Sequence, residues 1–167
     1  MKKAAFFLGT LMALTALCFP ALAEPFTGGS VTVDVPEGWA PSFKEGDLDQ
    51  LRVYAPGNAY GMVILSGPSN GMNSEQEAGM LAKKVDGTMP APSPMHPGIY
   101  YFTAHSGTLK FLVMAQGKSI VVIVSSGKGV PFMREIGHIM HSLASTDPDE
   151  QAIFDSLKLT FPNLPEK

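Results

Sequence analysis

Ser125 and Lys128 are three positions apart, the Ser-x-x-Lys spacing with which penicillin-recognising enzymes set an amine beside a nucleophilic hydroxyl. That spacing works when both side chains leave one face of a helix. Here Gly127 stands between them and Gly129 follows, on sequence that is leaving a strand. Neither Ser-Asp-Asn nor Lys-Thr-Gly accompanies the pair, and there is no Gly-x-Ser-x-Gly elbow. An exposed lysine in a strand-to-helix loop is the simpler reading, so a hydrolase built on Ser125 and Lys128 ranks last among the function classes. The same loop lacks the Ser or Thr that a phosphate-binding Gly-Lys needs next.

Metal chemistry has a better-spaced candidate. His138 and His141 lie three apart in a helical pattern, so both imidazoles can reach one ion from the polar face. His96 follows Met95 in a proline-rich stretch, and the segment after residue 23 holds eight methionines. Imidazole with thioether is a soft donor set that suits copper, and the imidazoles alone suit zinc. Against this, Met80, Met114, Met133 and Met140 fall at or near core-facing positions, where methionine fills gaps. No carboxylate is spaced to complete the set. Glu45, Asp47 and Asp49 form a solvated acidic loop, short of a calcium loop's ligands. No resident cofactor is expected.

A third candidate is an interaction surface. Trp39, Phe43 and Tyr60 cluster near strand exits, and a partly exposed aromatic group there would dock a protein or a small ligand. Core filling is the competing use of each ring.

The elements that would position these residues follow from the rest of the chain. Lys2 and Lys3, an apolar run from Ala4 to Phe19, and Ala21 and Ala23 at the peptidase-read positions make residues 1–23 a secretory signal peptide. The run is too short to span a bilayer as a helix. Leu17 precedes Cys18 where lipid attachment needs a small residue. Cleavage after Ala23 is expected to leave residues 24–167 as one domain, periplasmic or secreted, with no stable membrane insertion. Cys18 is the only cysteine, so residues 24–167 offer neither a disulfide nor a thiolate ligand. Without Lys2 and Lys3, ten basic side chains face fifteen acidic ones, a net charge of −5. With no basic run, nucleic acid is not an expected partner.

Period-two alternation marks strands at Ser30–Val35, Leu51–Tyr54 and Tyr60–Ser66, the last two joined by Pro56-Gly57-Asn58 as a hairpin. Ala78, Leu81, Ala82 and Val85 make a helical stripe after a cap at Asn73 or Ser74, with Glu77 closing a capping box on Ser74. Four prolines between Pro90 and Pro97 read as an extended connector. Three strands follow, Ile99–Ala104, Leu109–Gln116 and Ser119–Ser125, as an antiparallel meander. The unbroken run Ile120–Val124 requires cover on both faces. Pro131 opens a second helix with Ile136, Ile139, Met140 and Leu143 inward, and Asp147-Pro148 opens a third with Ile153, Phe154 and Leu157 inward. The expectation is an α+β fold: a central antiparallel sheet of about six strands flanked by about three helices.

The strand ending Val35-Pro36-Glu37-Gly38-Trp39, the helix over Glu75 to Val85, the Gly98-Ile99-Tyr100 strand start and the helix over Ile136 to Leu143 together resemble PsbP-like small secreted domains. The resemblance implies an α/β/α sandwich and carries no shared catalytic motif. It favours a noncatalytic binding or accessory domain of the bacterial envelope, whose partner is an envelope protein or a small ligand.

Overall fold

The computed structural model describes residues 23–94 and 96–161. The expected leader therefore lies outside the described residues except for Ala23, as does Met95. The chain forms an α+β fold in which ten strands divide between two antiparallel sheets. They are β1 (Glu24–Gly28), β2 (Val31–Val35), β3 (Ala40–Lys44), β4 (Asp49–Tyr54), β5 (Tyr60–Pro68), β6 (Ala91–Pro92), β7 (Tyr100–Ala104), β8 (Leu109–Gln116), β9 (Ser119–Gly127) and β10 (Ala144–Ser145). Three helices accompany them: α1 (Ser74–Lys84), α2 (Met133–Ser142) and α3 (Pro148–Lys158).

The large sheet has seven strands in the order β3-β4-β5-β9-β8-β7-β6. Its centre is β9, which pairs with β5 and β8, and Ile120, Val121, Val122 and Ile123 are all buried there. The β-branched run is thus covered on both faces, as its composition requires. The strands that make up the sheet differ from the expected set in two ways. The strand over Val31–Val35 leaves the large sheet and builds a second one, ordered β1-β2-β10. The large sheet gains β3 and β6, both edge strands that carry a proline, Pro41 and Pro92. Proline lacks the donor that a central strand must supply, so an edge is where such sequence can pair.

Each face of the large sheet has its own core. On one face, Ala78 and Ala82 of α1 lie against Phe102, Phe111, Val113, Ile120 and Val122. Two alanines let the helix approach the rings, and Phe102 and Phe111 stack at 4.4 Å with an 8° interplanar angle. Asn73 caps α1 by accepting from the Gln76 backbone, and the Gln76 side chain returns the bond to the Asn73 backbone. The expected box on Ser74 and Glu77 is therefore shifted by one residue. Ser74 is instead buried, and its hydroxyl accepts from the Ala115 backbone N–H at 2.9 Å.

On the opposite face, α2, α3 and the small sheet cover β4, β5, β8 and β9. Val31, Val33 and Val35 point inward from β2 while Thr32 and Asp34 remain half-buried, the alternation the sequence displays. Ile136, Ile139, Met140 and Leu143 of the α2 segment meet Ile153, Phe154 and Leu157 of α3 in this core. Burial of each such side chain is worth about 1.5–3 kcal/mol. Asp147 caps α3 by accepting from Asp149 and Glu150 N–H. Before α2, Pro131 sits in a short 3₁₀ turn, Val130–Phe132, instead of inside the α-helix itself. No helix among the described residues is long and apolar enough to cross a membrane.

Candidate functional site

The register of the large sheet brings two rows of side chains to its α2 face. Thr103 of β7 is opposite Lys110 of β8, which is opposite Ser125 of β9, which is opposite Met62 of β5. One step along, Tyr101, Leu112, Ile123 and Ile64 form the next row. Alternation fixes this shared side, because every second residue of a strand faces the same way. Toward β7 the helical cover thins, and a cleft of about 270 Å³ remains above these rows. Its floor is Thr103, Lys110, Ser125, Leu112 and Ile123; Tyr60, Ile136 of α2 and Phe161 complete its walls.

The cleft is mostly apolar, with its polar groups gathered at one end. Burial pushes the Tyr60 pKa above its ordinary value, and the neighbouring Ser125 hydroxyl, as a donor, opposes this in part. Tyr60 thus stays a protonated donor at neutral pH. Lys110 is exposed beside Ser125 and, among the described residues, is the only charged one lining the cleft. At the rim, His141 Nε2 lies 3.0 Å from the Phe161 carbonyl. A carbonyl only accepts, so Nε2 carries the proton and donates. That bond fastens the segment after α3 to α2 and holds Phe161 at the cleft.

The aromatic group singled out in the sequence separates in space. Trp39 and Tyr60 are buried, 8 % and 7 % exposed. They join Phe132 in a cluster, with the Trp39 ring 6.2 Å from Tyr60 and 5.7 Å from Phe132, both near edge-to-face. Phe43 takes no part in this cluster. It is exposed at the edge strand β3 and lies over Gly28, where an added Cβ would fall inside its ring. A surface patch made of all three rings is therefore corrected: the β4–β5 strands draw Tyr60 inward over the core, and only Phe43 faces solvent. The sequence does not signal Phe132 as a member, since its 3₁₀ turn places it beside Trp39 only in three dimensions.

The metal candidates do not assemble as a trio. His138 is exposed on α2, the His141 Nε2 is engaged by Phe161, and His96 sits in the loop before β7 with Nδ1 3.0 Å from the Pro97 carbonyl. No group of three His, Cys, Asp or Glu side chains converges among the described residues. Ser125 and Lys128 also part company. Ser125 points into the cleft from β9, whereas Lys128 is exposed beyond Gly127, whose φ of 87° turns the chain. The amine beside Ser125 is Lys110 from the neighbouring strand, a pairing that no one-dimensional spacing displays.

No family model matches the chain, and no curated protein matches it.

Proposed function

We propose that the protein is an exported, noncatalytic binding domain of the bacterial envelope that holds a small, largely apolar molecule in the cleft between β7–β8–β9 and α2. The observation that carries this reading is the cleft itself: about 270 Å³, walled by Tyr60, Leu112, Ile123, Ile136 and Phe161, with hydroxyls at one end. Binding sites combine an apolar wall with a few orienting polar groups, and their volumes start at roughly 300 Å³. This cleft is at the small end, so the occupant is of one to three rings or an equivalent short chain. The leader-like sequence of residues 1–23 supports export. A noncatalytic role rests on chemistry: the phenol beside the Ser125 hydroxyl is kept protonated by burial, and a protonated phenol is a poor base for activating it.

The test uses the neutral fluorescent probe N-phenyl-1-naphthylamine with the exported protein purified from the envelope fraction. Saturable one-to-one binding is expected, weakened at least tenfold by Thr103→Phe, which fills the cleft floor. Absence of saturation, or equal binding by a folded Thr103→Phe protein, overturns the reading.

A further inference from the structure

We infer that the cleft selects amphiphilic anions, an apolar ring or short chain carrying a carboxylate or a similar head group, and that Lys110 is the residue that selects them. The inference rests on the binding reading above and adds the chemical class of the ligand.

Three observations carry it. First, the charge lining the cleft is of one sign. Lys110 stands there with no Asp or Glu among the lining residues, although the chain as a whole is acidic at −3. Second, the Lys110 ammonium is unspent among the described residues. The ion pair there is Lys158–Asp155, and the Lys110 side chain has no ion-pair or hydrogen-bond partner among them. A lysine ammonium offers three donors, so an unpaired one beside an apolar wall is complementary to an acceptor-only anion. Third, the neighbouring groups can also donate. Ser125 is directly across from Lys110 in the ladder, and Tyr60 lines the cleft with it. Each of these hydroxyls carries one proton that it can donate to an incoming oxygen.

The geometry places the two halves of such a ligand separately. The head group meets Lys110 and Ser125 in the row nearest the β7–β8 loop, with Tyr60 beyond them on the wall. The apolar part runs over Leu112 and Ile123 toward Phe161. A neutral polar ligand would leave the ammonium without compensation. A cationic one would meet like charge.

The experiment compares 2-naphthoate with 2-naphthamide, which matches it in shape and lacks the charge. Each is titrated calorimetrically into the exported protein and into Lys110→Met and Lys110→Arg variants, with N-phenyl-1-naphthylamine binding measured in parallel. The native protein should prefer naphthoate about tenfold, Lys110→Met should reduce that preference to about twofold or less, and Lys110→Arg should retain it. The preference should also shrink between 20 mM and 500 mM NaCl, since Lys110 is exposed and salt screens it. Equal affinity for the two naphthalenes in the native protein overturns the inference, as does a preference that survives Lys110→Met. Failure of both to bind while the neutral amine binds also overturns it and leaves the binding reading standing. If none of the three binds, the binding reading fails first.

Discussion

The Trp39 indole meets the Tyr60 ring nearly edge-on, with centroids 6.2 Å apart and planes at 64°. Tyr60 in turn forms a wall of the cleft whose floor includes Ser125. The chain's single tryptophan is therefore one ring removed from the proposed ligand. Trp39 emission should be blue-shifted in the native state, as expected for an 8 % exposed indole. It should change in intensity when a ligand enters. Tyr60→Phe keeps the ring contact and removes the hydroxyl, so the native emission maximum should persist while naphthoate affinity falls by about threefold to tenfold, the worth of one hydrogen bond. Steady-state fluorescence checks both.

Trp39 also matters as packing. Truncation to alanine empties the space between Tyr60 and Phe132, and loss of a buried aromatic of this size costs about 3–5 kcal/mol. Trp39→Phe should cost less than half of that. Urea unfolding followed by circular dichroism measures the two variants, and an alanine variant within 1 kcal/mol of native would show that the indole is not core.

Glu77 provides a pH-dependent test of the opposite core. It sits in the first turn of α1, where the helix dipole favours its charge, yet it is 3 % exposed and desolvation raises its pKa from the usual 4.5. Burial wins over the dipole. A carboxyl with a raised pKa binds its proton more tightly in the fold than in the unfolded chain. Its contribution is thus most favourable in acid and is lost as pH climbs from the unfolded value through the raised one. Glu77→Gln should therefore be more stable than native at pH 7, and the advantage should fade below about pH 4. Thermal melts at pH 4 and 7 measure it; an advantage independent of pH contradicts the assignment.

Much of this architecture is legible in the residues. The Val-polar alternation of β2, the unbroken Ile120–Val124 run and the Asp147-Pro148 cap each specify their element through side-chain period or backbone donors, and each is found. The edge strands β3 and β6 are not legible, because Ala40-Pro41-Ser42-Phe43-Lys44 and Ala91-Pro92 lack alternation and carry proline. Their pairing comes from a neighbour that tertiary structure supplies, here β4 and β7. The same reason hides the site. Ser125 was visible, but its partner amine comes from Lys110 fifteen positions earlier by strand register, not from Lys128 by local spacing.

The junction of the small sheet with α3 depends on one buried carboxylate. Glu150 is 5 % exposed and its Oε2 accepts from the Ser30 hydroxyl at 2.6 Å and the Ser145 hydroxyl at 2.7 Å. Those bonds join the β1–β2 turn and β10 to α3. Glu150→Ala removes the shared acceptor and should cost about 3 kcal/mol, hydrogen bonds to a charged group being worth about 1.5–3 kcal/mol each. Hydrogen exchange should show β1 and β10 losing protection first, ahead of β9. Uniform loss across both sheets would mean that the two unfold as one unit.

The most direct measurement is an amide chemical-shift map of the protein titrated with 2-naphthoate. Ligand-dependent shifts should concentrate at Tyr101–Thr103, Lys110–Leu112 and Ile123–Ser125, with the Trp39 indole signal moving in step. Shifts centred instead on the exposed α1 surface around Met80 and Lys83, or spread without a centre over both sheets, would contradict a ligand site between β7–β8–β9 and α2.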